Sequence, residues 1–125
     1  MPVDATLPYD DQNIFAKILR GEIPAKRLYE DAFAIAFPDI NPQAPTHILV
    51  IPKGAYVSWD DFSARGTDAE IAGFVRAVGT VARDAGLVTS GYRLLANAGP
   101  DSLQEVPHLH VHIFAGCALG PMLLR

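Results

Sequence analysis

The sequence predicts an α+β domain, with an antiparallel sheet of about five strands and two main helices on one side of it. Three observations lead there. The β-like runs arrive as neighbours, not as strand–helix–strand units. One long amphipathic helix with clear start and stop signals separates the first group of runs from the second. Residues 106–114 alternate strictly, which is the period of a strand. Within that stretch His108, His110 and His112, three of the chain's four histidines, share one face. Leu109, Val111 and Ile113 share the other.

The elements can be justified in chain order. Residues 1 to about 10 have neither a basic region nor an apolar core, so they are not a secretory signal and read as a frayed lead-in. Asp10 or Asp11 can cap a short helix whose apolar positions are Ile14, Phe15, Ile18 and Leu19. Gly21, with Pro24 after it, ends that helix. Residues 26–30 and 33–37, parted by Asp31 and Ala32, read as a hairpin. Residues 39–45 contain Asn41, Pro42 and Pro45 and form a rigid, irregular connection. Residues 46–52 hold Ile48, Leu49, Val50 and Ile51 without interruption, as a buried central strand does, and Pro52 and Gly54 end it.

Ser58 to Phe62 reads as a turn of helix with Trp59 and Phe62 packing down. Thr67 and Glu70 make a capping box for the long helix. Its apolar face is Ile71, Phe74, Val75, Val78, Val81 and Ala82, and Gly86 sits where a left-handed cap belongs. Gly73 and Gly79 each lower its intrinsic helicity by about 1 kcal/mol, which implies close packing there, on the sheet or on a partner. Residues 92–96 form another strand, and residues 98–102 a turn-rich loop that leads into the histidine strand. From about residue 117 the chain is a short apolar tail, Leu119 to Leu124, which should pack against something. Cys117 reads as a packing residue.

Composition bounds the function. The 125 residues form one domain over 1–125, and the net charge is −4 with no run of Lys or Arg. Nucleic-acid binding needs a basic stripe, so it is not expected. No apolar run reaches the ~18–20 residues of a membrane helix, so no membrane partner is expected either. A single cysteine excludes an intramolecular disulfide and fits a reducing, cytoplasmic setting.

A row of imidazoles on one strand has few uses. Successive histidines on a face lie roughly 6.6–6.8 Å apart and the outer two about 13 Å apart, so one ion cannot take all three. A His-x-His pair with His47 or Asp39 as third ligand stays open. The other reading is nucleophilic attack on phosphorus. Neutral imidazole is a good nucleophile near neutral pH. His110 has a neighbour on each side, and the loop from Gly99 to Glu105 can offer backbone N–H groups to phosphate oxygens.

The motif His108-Leu109-His110-Val111-His112-Ile113-Phe114 resembles the signature of the histidine triad (HIT) family. The block from Ile14 to Ala25 is similar to that family's opening helix. The block from Phe37 to His47, with the strand through Lys53, is similar to its central part. The resemblance runs over about residues 12–121 and points to the Hint-like branch of nucleoside phosphoramidate hydrolases, in its bacterial form. It implies a HIT-like fold whose sheet extends across a homodimer, with the tail near the partner's site.

The resemblance also implies roles. His110 would be the nucleophile, His112 would bind phosphate and assist transfer, His108 would set the tautomer of His110, and His47 would orient the triad. Asp39 would hold the ribose hydroxyls. Phe15, Ile18, Ile23, Phe37 and Ile40 would sandwich a purine base. Asn97 would bond near the phosphate or leaving group, and Gln104 and Glu105 would line the phosphate. The implied reaction cleaves a phosphorus–nitrogen or related bond of a purine nucleotide through a nucleotidyl-histidine, with no metal and no cofactor. Dinucleoside polyphosphate hydrolysis is one alternative, and a nucleotide-binding regulatory module another. The chain departs from the pattern at Ser102 and Leu103, where that branch has glycines, and at Glu105, where it has a serine. These changes bear on the leaving group.

Overall fold

Four consecutive apolar residues at 48–51 need burial on both faces, and the strand that holds them sits at the middle of the sheet. In the computed structural model, which describes residues 2–124, this strand is β3 (Thr46–Pro52). The other strands are β1 (Tyr29–Glu30), β2 (Ala34–Pro38), β4 (Arg93–Leu95) and β5 (Val111–Ala115). The order across the sheet is β1-β2-β3-β5-β4, and every pairing is antiparallel.

The alternation of β3 defines two cores. Ile48 and Val50 join Ala34, Ala36, Val111 and Ile113 on one face, under α2 (Trp59–Arg65) and α3 (Asp68–Asp84). Leu49 and Ile51 join Ile35 and Phe37 on the other, under Phe15 and Ile18 of α1 (Ile14–Leu19). The helices therefore lie on both faces, not on one side as expected. The physical reason is that β2 and β3 are apolar at every position from Ala34 to Phe37 and from Ile48 to Ile51, so each face needs a cover.

The local signals fare unevenly. The Thr67–Glu70 capping box is present, and a second one forms at Ser58 with Asp61. The cap of α1 is Asn13, whose side chain accepts from the Ala16 N–H, rather than Asp10 or Asp11. Asp10 instead shapes the turn before it, where its side chain accepts from the Gln12 N–H. Phe62 is buried but Trp59 is half exposed, and Val75 also faces outward. The expected histidine strand over 106–114 is shorter, because only Val111 onward joins the ladder.

The N-terminal lead-in is attached at two points. The Val3 N–H donates to the Gln104 carbonyl at 2.7 Å, and Tyr9 reaches the triad. Of the tail's described residues, Leu119 is half-buried beside Gln43, Arg93, Leu95 and Phe114. Met122, Leu123 and Leu124 are exposed, and the Arg93 guanidinium donates to the carbonyls of Gly120 and Pro121. Cys117, just past the turn at Gly116, is exposed rather than packed.

Gly73 explains itself through Phe33. A Cβ at position 73 would run into the Phe33 ring. Gly73→Ala should therefore destabilise the protein by about 1–3 kcal/mol, against the helix-propensity gain. Urea unfolding measures it, and a variant as stable as the parent contradicts the packing argument.

Candidate active site

The site lies on the α1 face of β3 and β5. Side-chain parity places His47 and Leu49 of β3 on that face, opposite Phe114 and His112 of β5. Before Val111 the chain leaves the ladder, and the Leu109 N–H donates to the Tyr56 carbonyl at 2.8 Å. Leu109 points into the α3-side core, so His108 and His110 turn towards Phe15. The alternation read from the sequence survives even where the strand does not.

Hydrogen-bond direction fixes the protons. The Pro52 carbonyl can only accept, so Nε2–H of His108 donates to it at 2.8 Å. Nδ1 of His108 is then a lone pair, and the Tyr9 hydroxyl donates to it at 2.6 Å. The His108 carbonyl likewise takes the Nδ1–H of His110 at 2.7 Å. Nε2 of His110 is thus left unprotonated and without a partner among the described residues. On the other side, the Gln43 N–H donates to Nδ1 of His47 at 3.1 Å. Nε2–H of His47 therefore donates to Nδ1 of His112 at 2.9 Å. That leaves His112 with a proton on Nε2. The site presents one bare nucleophilic nitrogen and one N–H donor, on rings whose centroids are 5.0 Å apart.

Burial keeps these rings neutral. It lowers His108 to about 4, with the neighbouring His110 adding to the shift and the bond to Pro52 opposing it. His112 also falls to about 4, through burial and then His110 and His47. Burial lowers His110, against the bond to His108 and the charges of Asp39 and Glu105. It lowers His47 too, although Asp39 pulls the other way. The Asp39 carboxylate, 3.4 Å from Nε2 of His47, is therefore a second acceptor for a neutral imidazole rather than half of an ion pair.

The remaining predicted residues are placed as follows. Asp39 has one oxygen on the Asn41 N–H, an Asx turn, and the other towards His47. Phe15, Ile18 and Phe37 are buried, with Phe15 edge-on to Phe37 and, at 5.0 Å, to His110. Ile23 packs partly beside them, and Ile40 stands exposed on the rim. Asn97 is half-buried and has no side-chain hydrogen-bond partner among the described residues.

Gln104 is a correction. Its side chain is fully buried and its amide is engaged by backbone groups. Oε1 accepts from the Gly99 N–H, and Nε2 donates to the carbonyls of Val57 and Val106. It shapes the loop from Gly99 to Glu105 and does not line phosphate. Glu105, next in the chain, is exposed. Sequence reasoning missed Tyr9 and the Gln43 N–H. A lone tyrosine in a polar lead-in and a backbone group carry no pattern. Asp39, His47 and His112 have donor atoms within 4.8 Å of one another, as a metal would require. Both nitrogens of His47 and Nδ1 of His112 are, however, already engaged in hydrogen bonds.

Comparison with known proteins gives a consistent picture. A family model described as HIT domain matches residues 20–118. A 13.2 kDa HIT-like protein of Azospirillum brasilense is 68% identical over 117 residues, covering 94% of this chain and 96% of the relative. The purine nucleoside phosphoramidase of Escherichia coli (strain K12) is 42% identical over 113 residues, covering 90% and 94%. The structure of a histidine triad protein from Clostridium difficile is 42% identical, covers 88% of this chain and 95% of that one, and superposes with a TM-score of 0.77.

Neutral buried histidines make stability depend on pH in a defined sense. Between about 6.5 and about 4 the unfolded chain binds protons at His108 and His112 that the folded chain does not. Their contribution is complete above the upper limit and is lost as pH falls through that window, by at most about 1.4 kcal/mol per pH unit for each ring. Urea midpoints measured from pH 7 to pH 4.5 should fall steadily. A flat profile across that range would show that the rings are not held neutral.

Proposed function

From the premise that the chain belongs to the HIT family, we propose that this hydrolase cleaves the phosphorus–nitrogen, or a related, bond of a purine nucleoside phosphoramidate. One observation carries the reading: hydrogen bonds of fixed direction leave Nε2 of His110 bare and Nε2 of His112 protonated. The relative named purine nucleoside phosphoramidase supports the bond and the substrate class.

In this reading Nε2 of His110 attacks phosphorus, and a P–N bond to the imidazole forms as the P–N bond to the amine breaks. The amine departs with a proton from solvent. Nε2–H of His112 donates to a phosphoryl oxygen throughout. Water then adds to phosphorus, the bond to His110 breaks, the water's extra proton returns to solvent, and the nucleoside monophosphate leaves. Asp39 binds the ribose hydroxyls, and the wall of Phe15, Ile18, Ile23, Phe37 and Ile40 receives the base. Asn97 bonds beside the phosphate, and Glu105 stands at its exposed edge.

The protein works as a homodimer in this proposal. β4 is an edge strand of only three residues. Beside it runs an apolar groove lined by Trp59, Val75, Val78, Gly79, Tyr92 and Leu94. An unpaired edge next to exposed apolar surface is what a second copy would cover. The exposed apolar tail would lie near the partner's site. No helix among the described residues is long and apolar enough to cross a membrane. The one cysteine, free and exposed, supports a reducing cytoplasmic setting.

His110→Ala should abolish turnover of an adenosine phosphoramidate, by about a thousandfold or more, while nucleotide binding by calorimetry survives. Residual turnover near the parent rate would sink the nucleophile assignment. Exhaustive chelation should leave the rate unchanged, since hydrogen bonds alone set the ring protons. A loss restored by zinc would favour the Asp39, His47 and His112 cluster as a metal site.

A further inference from the structure

His108 is fully buried, and its side chain has two anchors among the described residues. One is the Pro52 carbonyl on Nε2, and the other is the Tyr9 hydroxyl on Nδ1. The Tyr9 ring also meets the His108 ring edge-on, at 5.5 Å and 70°, while Phe15 closes another side. Burial raises the Tyr9 phenol above its ordinary pKa, so it remains a donor.

The next link is backbone. Residues 108–110 lie outside the ladder, because β5 begins at Val111. No strand pairing therefore fixes the direction of the His108 carbonyl. The nearby backbone anchor is the Leu109 N–H on the Tyr56 carbonyl. Yet that His108 carbonyl holds the Nδ1 proton of His110 and so decides which nitrogen of His110 is bare. The side-chain anchors of His108 must supply the order that the ladder does not.

We propose that Tyr9 is a positioning residue of the reaction, holding His108 so that its carbonyl keeps Nε2 of His110 free for attack, and that the N-terminal arm is thereby part of the site. The arm has a second attachment, from the Val3 N–H to the Gln104 carbonyl, on the loop that Gln104 clamps. Residues 3 and 9 thus tie the arm to both the loop and the triad. The inference rests on the reading of His110 as nucleophile.

The test is Tyr9→Phe, which removes one oxygen and keeps the ring. With an adenosine phosphoramidate, kcat should fall about tenfold while KM stays within about twofold. A fall of less than about threefold, in a variant still folded at the assay temperature, overturns the proposal. Histidine-selective ¹⁵N spectra supply a readout that a merely structural tyrosine would not move. In the parent, His108 should show an unprotonated, hydrogen-bonded Nδ1, and His110 a single Nδ1–H tautomer. In Tyr9→Phe the His108 Nδ1 signal should shift towards that of a free lone pair, and His110 should become a tautomer mixture. A protonated Nδ1 on parental His108 overturns the proposal even if the variant does not fold. His110→Ala separates the two failures. If it remains active the function reading fails, whereas if it is dead and Tyr9→Phe is fully active only the role of Tyr9 fails.

Discussion

The structure depends on hydrogen bonds that run in one direction through neutral imidazoles. Two carbonyls, of Pro52 and His108, and one N–H, of Gln43, set the protons on His108, His110 and His47. Each choice forces the next. Of the histidine ring nitrogens, only Nε2 of His110 and Nε2 of His112 are left unpartnered among the described residues, and they differ in kind: one is a lone pair, the other a donor. That is the pairing an in-line displacement at phosphorus requires, a nucleophile beside a hydrogen-bond donor for the oxygen that gathers charge. A second proton on His108, His47 or His112 would face a donor, and one on His110 would occupy its bare nitrogen; burial disfavours that charge.

Burial of this kind needs a sheet that is covered on both sides. β3 provides it, because its uninterrupted apolar run cannot leave either face to water. α3 and α2 cover one face and α1 the other, and α1 brings Phe15 against both His108 and His110. The short helix that caps a core is therefore also the wall of the site. Three histidines at full or near-full burial, His47, His108 and His110, would be costly if their buried nitrogens were unmatched. No buried side-chain nitrogen or oxygen among the described residues lacks a partner, so the cost is met within the fold.

What the sequence makes legible is local or periodic. The bounds of β3, the Thr67 capping box and the facing of the histidines follow from spacing over a few residues, and the structure reproduces them. What it hides is contact at long separation. Tyr9 meets His108 across 99 positions, and the Gln104 amide meets the Val57 carbonyl across 47. Gln104 illustrates the limit well: a glutamine beside a phosphate loop reads as a ligand, yet its amide has the shape of three backbone groups that need satisfying. Trp59, Val75 and the tail mislead for another reason. Their apolar character is real, but within one chain nothing covers them. Asn13 displaced Asp10 as a cap because both residue types serve, and only the helix start decides.

The loop from Gly99 to Glu105 shows how a departure in sequence can leave geometry standing. Leu103 has φ 62°, in the left-handed region where a glycine costs nothing and a leucine costs roughly 1–2 kcal/mol. The resemblance implies a glycine at that place, and Leu103 holds a backbone conformation that would suit one. The strain persists because the loop is over-determined. Gly99 and Gln104 exchange bonds in both directions, through the Gln104 N–H to the Gly99 carbonyl and the Gly99 N–H to Oε1. Leu103 is further tied to Pro100, and Ser102 to Gly99. With the backbone so held, the change at 103 alters only what the loop shows to solvent, an exposed aliphatic side chain beside the exposed carboxylate of Glu105. The rings of His108 and His110 lie inside the fold, although the Glu105 charge is still felt at His110. Divergence at Leu103 and Glu105 thus changes exposed side chains of the loop while the hydrogen bonds of the histidine relay stay intact.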